Sequence, residues 1–466
     1  HGRSVVWGLS YNAKHTKTVI LFGHHDAVDL TAYGEVDGLN AQSVLNHLKA
    51  SCAILPEDTY DGEWLFGRGS CDMKAGIAIH LMQLKRSTES DLGVNILFLS
   101  VPDEETQSEG MRYAVHVLDE LKVKFDLTYE LAILSEPHDR SQEQAFTIST
   151  GSVGKMMPVI ITKGMPSHSG TAYGGLSAIS ITMEIIKAIE LNTEMGDSVN
   201  RKMTPPPAFL NLNTYKDTYD VTTPEFTAAY FNWLFLKGNL TQKFAQLKEL
   251  CVWSMEDAIN QFNYSYNEFL RKQAMPSYEE CMEIHFDILF FDELKERVSH
   301  LVDVDAVYKN IKDQYSDQPL HEISIRYMQK LISIMNVRHP VVVIGLLPPF
   351  YPVVDSRDYY EVNLKETVEK CLEEMHLSLR QDLYFMGISD MSYMKKMSHD
   401  PKGVLNLMPE YQKSYQIDFD RMDIEVIHIG PWGKDLHLKT ERVYLKDVIE
   451  TVPRLLDAVF AKIASM

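Results

Sequence analysis

The chain has 466 residues, of which 45% are hydrophobic and 24% are charged, and its formal net charge at pH 7 is −20. A chain of this length can form two or three domains with a substantial buried core. Because an acidic protein repels phosphate backbones, nucleic-acid binding is not expected, and no apolar run reaches the length of a membrane span. The five cysteines are scattered and form no CxxC pair, which argues against a thiolate zinc site and favours a reducing cytoplasm.

The first third of the chain alternates short apolar runs with segments of helical periodicity. Strands are predicted at residues 4–9, 18–23, 94–101 and 131–135. Helices are predicted after Asp72 and over residues 110–121, where apolar residues recur at helical spacing. Strands that alternate with helices favour a mostly parallel sheet covered on both faces.

The middle of the chain has a different pattern, and the first pattern returns near its end. The predicted middle elements are strands at 156–162, 208–213, 283–291 and 340–346, and helices at 176–191 and 240–273. The predicted last elements are strands at 381–387 and 424–429 and a helix over 445–465 bent at Pro453. We therefore expect a discontinuous α/β domain, residues 1–150 and 377–466, that carries a large inserted α+β domain at residues 151–376.

Histidine and acidic side chains follow three successive predicted strands. His24-His25-Asp26, Glu104-Glu105 and Glu136 each come where a strand ends. Because functional groups gather at the carboxyl ends of parallel strands, we expect these side chains to share one edge of the sheet. Asp72 lies in the glycine turn GRGSCDMKAG, which holds a carboxylate at a strand-to-helix junction.

Each motif also has a plainer interpretation when it is taken alone. His24 to Asp26 are compatible with a capped turn, Asp72 with a helix cap, and Glu104-Glu105 with a solvated acidic turn. Glu136 before a proline is compatible with a turn acid, and His437 after GPWG with an exposed loop histidine. Together, however, the motifs supply two imidazoles and several carboxylates.

Such a set of ligands is typical of a two-metal site. His24, Asp72, Glu105, Glu136 and His437 divide into two three-ligand sites if Asp72 bridges two ions, which in such centres lie about 3.5 Å apart. Asp26 is placed to orient the ring of His24, and Glu104 is placed to act as a general base. Mixed nitrogen and oxygen ligands favour zinc, with manganese or cobalt as alternatives.

The motifs GHHDAVD, GRGSCDMKAG, VPDEE, SEP, GMPSHSG and GPWGKDLH resemble, in order and spacing, those of the M20-family metallopeptidases and amidohydrolases. The resemblance implies a zinc-peptidase-like catalytic domain with a lid, and a cis peptide bond after Asp72. It implies Asp26 as the residue that orients a ligand, Glu104 as general base, and His168 as a lid histidine that holds the substrate carbonyl or carboxylate. The implied ligands are His24, Asp72 and Glu136 for one metal, and Asp72, Glu105 and His437 for the other.

The resemblance is strong over residues 18–180 and 385–445 and poor between them, where the insertion is longer than the usual lid of this family. The lid arginine that usually grips a substrate carboxylate has no clear counterpart. Arg357, Arg380 and Asp390 are the candidates for substrate binding. The long lid and the IGPWGKDLH segment most resemble the bacterial arginine-utilisation (RocB-type) branch.

These observations predict a dinuclear metallohydrolase that cleaves an amide-type C–N bond in a small amino-acid derivative or short peptide, in arginine catabolism. A carbamoyl (ureido, citrulline-like) amidohydrolase is the alternative chemistry, and a non-catalytic metal-binding relative is the alternative of another class. The family's lids often form dimers, so we expect either a homodimer or a monomer in which the enlarged lid replaces the partner.

Overall fold

The computed structural model describes residues 2–51, 62–140, 145–216, 218–237, 239–273, 282–411 and 413–466. They form two compact units, each built from separate stretches of the chain. Unit 1 comprises His1–Val153, Tyr351–Met397 and Ile417–Met466, and unit 2 comprises Gly154–Phe350 and Ser398–Gln416. Residues 351–376, which we assigned to the insertion, belong to unit 1, and residues 398–416 belong to unit 2.

The strands of the described residues are β1 (Val6–Ser10), β2 (Lys17–His24), β3 (Trp64–Phe66), β4 (Asn95–Val101), β5 (Thr128–Leu134), β6 (Phe146–Ser149), β7 (Gly151–Ser152), β8 (Gly154–Lys163), β9 (Ser198–Val199), β10 (Lys202–Met203), β11 (Ala208–Asn213), β12 (Phe226–Phe235), β13 (Asp287–Phe290), β14 (Val341–Tyr351), β15 (Val354–Asp355), β16 (Leu379–Asp382), β17 (Val426–His428), β18 (Gly433–Lys434) and β19 (Arg442–Tyr444).

The α-helices of the described residues are α1 (Ala41–Ala50), α2 (Ala75–Glu89), α3 (Glu109–Phe125), α4 (Ala178–Ile189), α5 (Leu240–Lys272), α6 (Phe291–Ser299), α7 (Val304–Gln314), α8 (Leu320–Met335), α9 (Arg357–Asn363), α10 (Lys365–Glu374), α11 (Lys402–Leu405) and α12 (Val452–Ser465).

Unit 1 is organised around a seven-stranded sheet in the order β1-β4-β2-β5-β17-β6-β16. Neighbouring strands run parallel except at the pairs β1-β4 and β17-β6. Nearly every residue of β2 and β4 is buried, as expected for parallel strands that are covered on both faces. Helices α2, α10 and α12 cover one face, where Ile79, Val368 and Leu455 join the core. The predicted mostly parallel α/β fold is confirmed.

Unit 2 contains a five-stranded sheet in the order β11-β12-β8-β14-β13, in which β13 and β14 are parallel and β12 is antiparallel to both of its neighbours. Helices α6, α7 and α8 pack their apolar side chains against this sheet. Helix α4 meets β8 and β12 through the Thr182 hydroxyl, which donates a hydrogen bond to Thr162 and accepts one from Thr227. This is the α+β architecture expected for the inserted region.

In the last part of the chain, two sequence-based assignments differ from the structure. The strand predicted at residues 381–387 is wrong over most of its length, because pairing with β6 ends at Asp382. Beyond that residue, the Phe385 ring packs on His428 with 4.9 Å between ring centroids. The helix predicted over residues 445–465 is not an α-helix throughout, because Asp447–Thr451 form a π-helical turn that continues into α12 just before Pro453.

Candidate metal centre

The parallel register of unit 1 brings the acidic and histidine motifs to one edge of the sheet. His24 is the last residue of β2 and pairs in register with Val101, the last residue of β4. Glu104 and Glu105 follow β4, and Glu136 follows β5. The side chain of His24 is only 1% exposed, so its imidazole enters the cluster from inside the protein. The expected gathering at the strand ends is therefore present.

Asp72 lies between two histidines. Its Oδ1 is 3.1 Å from Nε2 of His24, and its Oδ2 is 3.1 Å from Nε2 of His437. The peptide bond between Asp72 and Met73 is cis, and helix α2 begins only at Ala75. The carboxylate therefore does not cap that helix. Each of its oxygens faces a different imidazole, which is the arrangement that a carboxylate shared by two cations needs.

The two adjacent glutamates take different positions around Asp72. Oε2 of Glu105 lies 3.4 Å from Nε2 of His437, and Oε2 of Glu104 lies 3.9 Å from Nε2 of His24. Ligand atoms of His24, Asp72 and Glu105 all fall within 4.8 Å of one another. Donors at that spacing lie close enough to surround a pair of metal ions that share Asp72.

Asp26 connects the histidine to the glutamates. Its carboxylate accepts hydrogen bonds from the backbone N–H groups of Glu104 and Glu105, at 3.3 and 3.2 Å. The same carboxylate lies 3.5 Å from Nδ1 of His24, whose Nε2 consequently faces Asp72. A contact of this kind fixes the orientation of a metal-binding imidazole.

Two further carboxylates are buried beside this cluster. Within the described ranges of the chain, no hydrogen-bond partner lies within reach of Oε1 of Glu136. Asp390 is completely buried, and Ser108 is the polar side chain nearby that favours its charged form. The pKa of Glu136 is raised well above its usual value, first by burial and then by the charge of Asp72. Burial also raises the pKa of Asp390 to about 7, against the opposing effects of His24 and the nearby Ser108 hydroxyl.

The remaining pKa shifts show the same crowding of negative charge. Burial, followed by the charge of Glu136, raises the pKa of Glu104 well above its usual value. Burial alone would raise the pKa of Asp72, but hydrogen bonds from His24 and His437 outweigh it and lower that pKa. Buried carboxylates in such number are expensive without compensating cations. The donor set, with its unpartnered oxygen on Glu136, thus fits divalent metal ions.

A buried ion pair that our sequence reasoning missed positions His437. Arg68 contacts Glu441 at 2.6 Å and donates a second hydrogen bond, of 3.0 Å, to the carbonyl oxygen of His437. His437 has a φ of 65°, a conformation that is uncommon outside glycine and needs support from its surroundings. Arg68 lies inside the glycine turn and Glu441 shortly after the GPWGKDLH motif, but no local sequence pattern pairs two residues so far apart.

Two glycines allow the backbone around Glu136 to approach closely. A Cβ atom on Gly430 would lie 1.7 Å from the Glu136 carbonyl oxygen, and one on Gly76 would lie 2.2 Å from the Ser135 carbonyl oxygen. His428 donates from Nε2 to the same Glu136 carbonyl at 2.7 Å. The main chain that carries Glu136 is therefore fixed by groups from α2 and from the segment after β17.

The other predicted substrate-binding residues are not among the contacts described above. Arg357 pairs with Asp355 at 2.8 Å, and Arg380 lies 3.5 Å from Asp382 in β16, a strand at the edge of the sheet. His168 belongs to unit 2, where its Nδ1 accepts a hydrogen bond from Gly170 N–H. The roles of His168, Arg357 and Arg380 stay predictions.

A mostly parallel α/β unit with a histidine–carboxylate cluster at its strand ends is characteristic of metal-dependent hydrolases. The chain belongs to peptidase family M20/M25/M40, whose profile matches residues 21–431. It is therefore a hydrolase of the M20 type, and the zinc-peptidase-like fold expected from the motifs is confirmed.

Individual relatives agree with this membership. The chain is 30% identical to the Bacillus subtilis protein YqjN over 473 residues, covering 98% of this chain and 85% of that protein. It is 25% identical to RocB of the same organism over 474 residues, covering 94% and 81%. The yeast dipeptidase Dug1p, from Saccharomyces cerevisiae, has the same fold, with a TM-score of 0.54 at 9% identity over 99% of this chain and 83% of that one.

Among the residues that the structure describes, no helix combines the length and the apolar character needed to cross a membrane.

Proposed function

We propose that the protein is a two-metal hydrolase that cleaves an amide-type C–N bond in a small amino-acid derivative or a short peptide. The observation that carries this proposal is the position of Asp72, whose two oxygens each lie 3.1 Å from a different imidazole. His24, Asp72 and Glu136 would hold one ion, and Asp72, Glu105 and His437 the other. The mixed nitrogen and oxygen ligands favour zinc over manganese or cobalt.

Metal ions bound there would polarise the scissile carbonyl and lower the pKa of a water molecule. Glu104 is proposed to take the proton from the attacking water and to pass it to the leaving nitrogen as the C–N bond breaks. Its position supports this role, because its buried carboxylate lies 3.9 Å from Nε2 of His24, beside the proposed ligands. Burial keeps bulk water away from the proton that moves.

The substrate is proposed to derive from arginine. The motifs resemble those of the arginine-utilisation branch, and RocB matches 94% of the chain. Hydrolysis of a carbamoyl group, as in a citrulline-like substrate, is the alternative within this proposal. A cytoplasmic location rests on the scattered cysteines of the sequence and also stays a prediction.

A substrate screen of the zinc-loaded protein tests this function. N-acyl amino acids, dipeptides, citrulline and other carbamoyl amino acids would be supplied, with released amine or ammonia as the readout. We expect turnover of one of these chemical classes. Absence of turnover for every class, in protein that carries both metal ions, would contradict the proposed substrate range.

We also propose that unit 2 carries the surface through which the protein forms a dimer. Strand β11 lies at the edge of the five-stranded sheet, and its side chains Leu210 and Leu212 are 55% and 47% exposed. An apolar sheet edge is a common pairing surface. Light scattering should give a dimer for the native protein and a monomer after Leu210→Lys and Leu212→Lys. A native monomer would instead favour the enlarged lid as a substitute for the partner.

A further inference from the structure

A second group of metal-ligating side chains lies in unit 2. His285 precedes β13, Asp287 is the first residue of that strand, and His339 precedes β14. Ligand atoms of these three residues all fall within 4.8 Å of one another. Because unit 1 contains the histidine–carboxylate cluster described above, this group is separate from the M20 centre.

The strand register explains why these side chains meet. Strands β13 and β14 are parallel with Asp287 opposite Val341, so continuing the register two residues back places His285 opposite His339. Residues two apart along an extended chain point to the same side, which puts His285 and Asp287 on one face. Pro340 favours an extended conformation at His339. The two imidazole rings are in contact, with centroids 4.7 Å apart and planes inclined by 70°.

The carboxylate of Asp287 and the imidazole of His339 are separated by almost the distance expected between two ligands of one metal ion. Nε2 of His339 lies 2.9 Å from Oδ2 of Asp287. Two ligands bound tetrahedrally to zinc, each about 2.0–2.2 Å away, lie about 3.4 Å apart. The His339 and Asp287 side chains are 25% and 18% exposed, and His285 is exposed, so small rotations can complete the set.

The carboxylate of Asp287 already has a cationic neighbour. Arg297 lies 3.2 Å from Oδ2 of Asp287 with its own side chain 50% exposed, so it is the competitor that a metal ion must displace.

We propose that His285, Asp287 and His339 form a binding site for a divalent transition-metal ion, with zinc as the ion that two imidazoles and one carboxylate fit best. The ion links the beginning of β13 to the beginning of β14 at the edge of the sheet, and it leaves a coordination position open to solvent. An ion bound there would join two strands of the lid-type unit.

Zinc content of the full-length protein tests the proposal. Wild-type protein and the variants His285→Ala and His339→Ala would be dialysed against the same buffered zinc concentration, and zinc per chain measured by mass spectrometry. We expect each variant to hold one zinc fewer than the wild type, and its affinity at this site to fall by more than about 100-fold, since a direct ligand matters more than an outer contact. Equal zinc content in all three proteins would overturn the proposal.

His300→Ala is the matched control, because His300 is an exposed histidine of the same unit at the end of α6. It should bind as much zinc as the wild type. Arg297→Gln gives an opposite prediction: removing the competing guanidinium should tighten zinc binding by about two- to fivefold, the typical contribution of a half-exposed ion pair. Weaker zinc binding in Arg297→Gln would contradict the assignment of Asp287 as a ligand.

Discussion

Both units bury acidic side chains, but they stabilise them in different ways. In unit 2, Glu410 is fully buried and accepts a hydrogen bond from the Ser324 hydroxyl, and burial raises its pKa to about 7. In unit 1, several carboxylates crowd around Asp72 and two histidines. A proton is enough to neutralise the buried acid of unit 2, whereas the crowded set of unit 1 is suited to bind cations. A buried carboxyl group is therefore held neutral in unit 2, whereas we propose that the carboxylates of unit 1 bind metal ions.

The largest effect is expected for Glu104, which we propose as the general base. Glu104→Gln preserves the shape of the side chain but cannot accept a proton, so we expect kcat to fall by about 10³- to 10⁴-fold, near the upper range for general acid–base catalysis. Metal content should stay at the wild-type level. Steady-state kinetics and metal analysis would measure both, with exposed Glu109→Gln as the control. Activity that survives the change would exclude Glu104 as the base.

Neutralising Glu136 should affect metal binding rather than proton transfer. Glu136→Gln removes a proposed direct ligand, so we expect the affinity for one ion to fall by more than about 100-fold, beyond the loss caused by outer contacts. Zinc should raise the melting temperature of the wild type, because it binds the folded state, and should raise it less in the variant. Glu120→Gln, an exposed change on α3, serves as control. An unchanged zinc-induced shift would remove Glu136 from the ligand set.

In unit 2, a glutamate-to-glutamine substitution at Glu410 should stabilise the protein at high pH instead of weakening a binding site. The pKa of Glu410 is about 7 in the folded chain, against 4.5 as its ordinary value, so the folded state binds more protons between these pH values. The contribution of Glu410 to the free energy of unfolding should therefore be largest below about pH 4.5, and it should decline by up to about 3 kcal/mol as the pH rises to 7.

Glu410→Gln should remove that decline and make the protein more stable than the wild type at pH 8. Urea unfolding at pH 5 and pH 8 would measure the change in the free energy of unfolding. Glu256→Gln, at an exposed position on α5, serves as the control. If the wild type and Glu410→Gln lose stability equally between these pH values, Glu410 is not held as a neutral acid.

The smallest effect is expected at Asp26, which contacts His24 rather than a reacting atom. Asp26→Asn keeps an acceptor oxygen for only one of the two backbone N–H groups of Glu104 and Glu105 and weakens the contact with the imidazole, so metal affinity should fall by about tenfold. Competition with a zinc chelator would measure the change, and Asp29→Asn at a nearby exposed position should leave the affinity unaltered. A loss as large as that of a direct ligand would show that Asp26 itself binds metal.

The sequence allowed the catalytic fold and most of the candidate centre to be predicted, because both depend on local patterns. Buried parallel strands read as continuous apolar runs, and the residues after β2, β4 and β5 could be identified directly. The glycine turn around Asp72 was equally visible. The parallel strand register brings these motifs together, because it places the carboxyl ends of neighbouring strands side by side.

Features that depend on distant partners could not be predicted in the same way. Strand β12 was missed because its run, FTAAYFNWLF, follows a loop rich in proline and threonine and gains its stability from pairing with β8 and β11. The strand predicted at 381–387 failed because an apolar run also suits ring packing, here Phe385 on His428. Likewise, the pairing of Arg68 with Glu441 joins residues far apart in sequence.

Anomalous diffraction from crystals grown with zinc tests the bridging role of Asp72, because it locates the ions independently of turnover. We expect two peaks in unit 1, about 3.5 Å apart, with one oxygen of Asp72 bound to each. We also expect His24 at one peak and His437 at the other. A single peak in unit 1, or two peaks of which only one contacts Asp72, would contradict the bridging role from which the proposed function is derived.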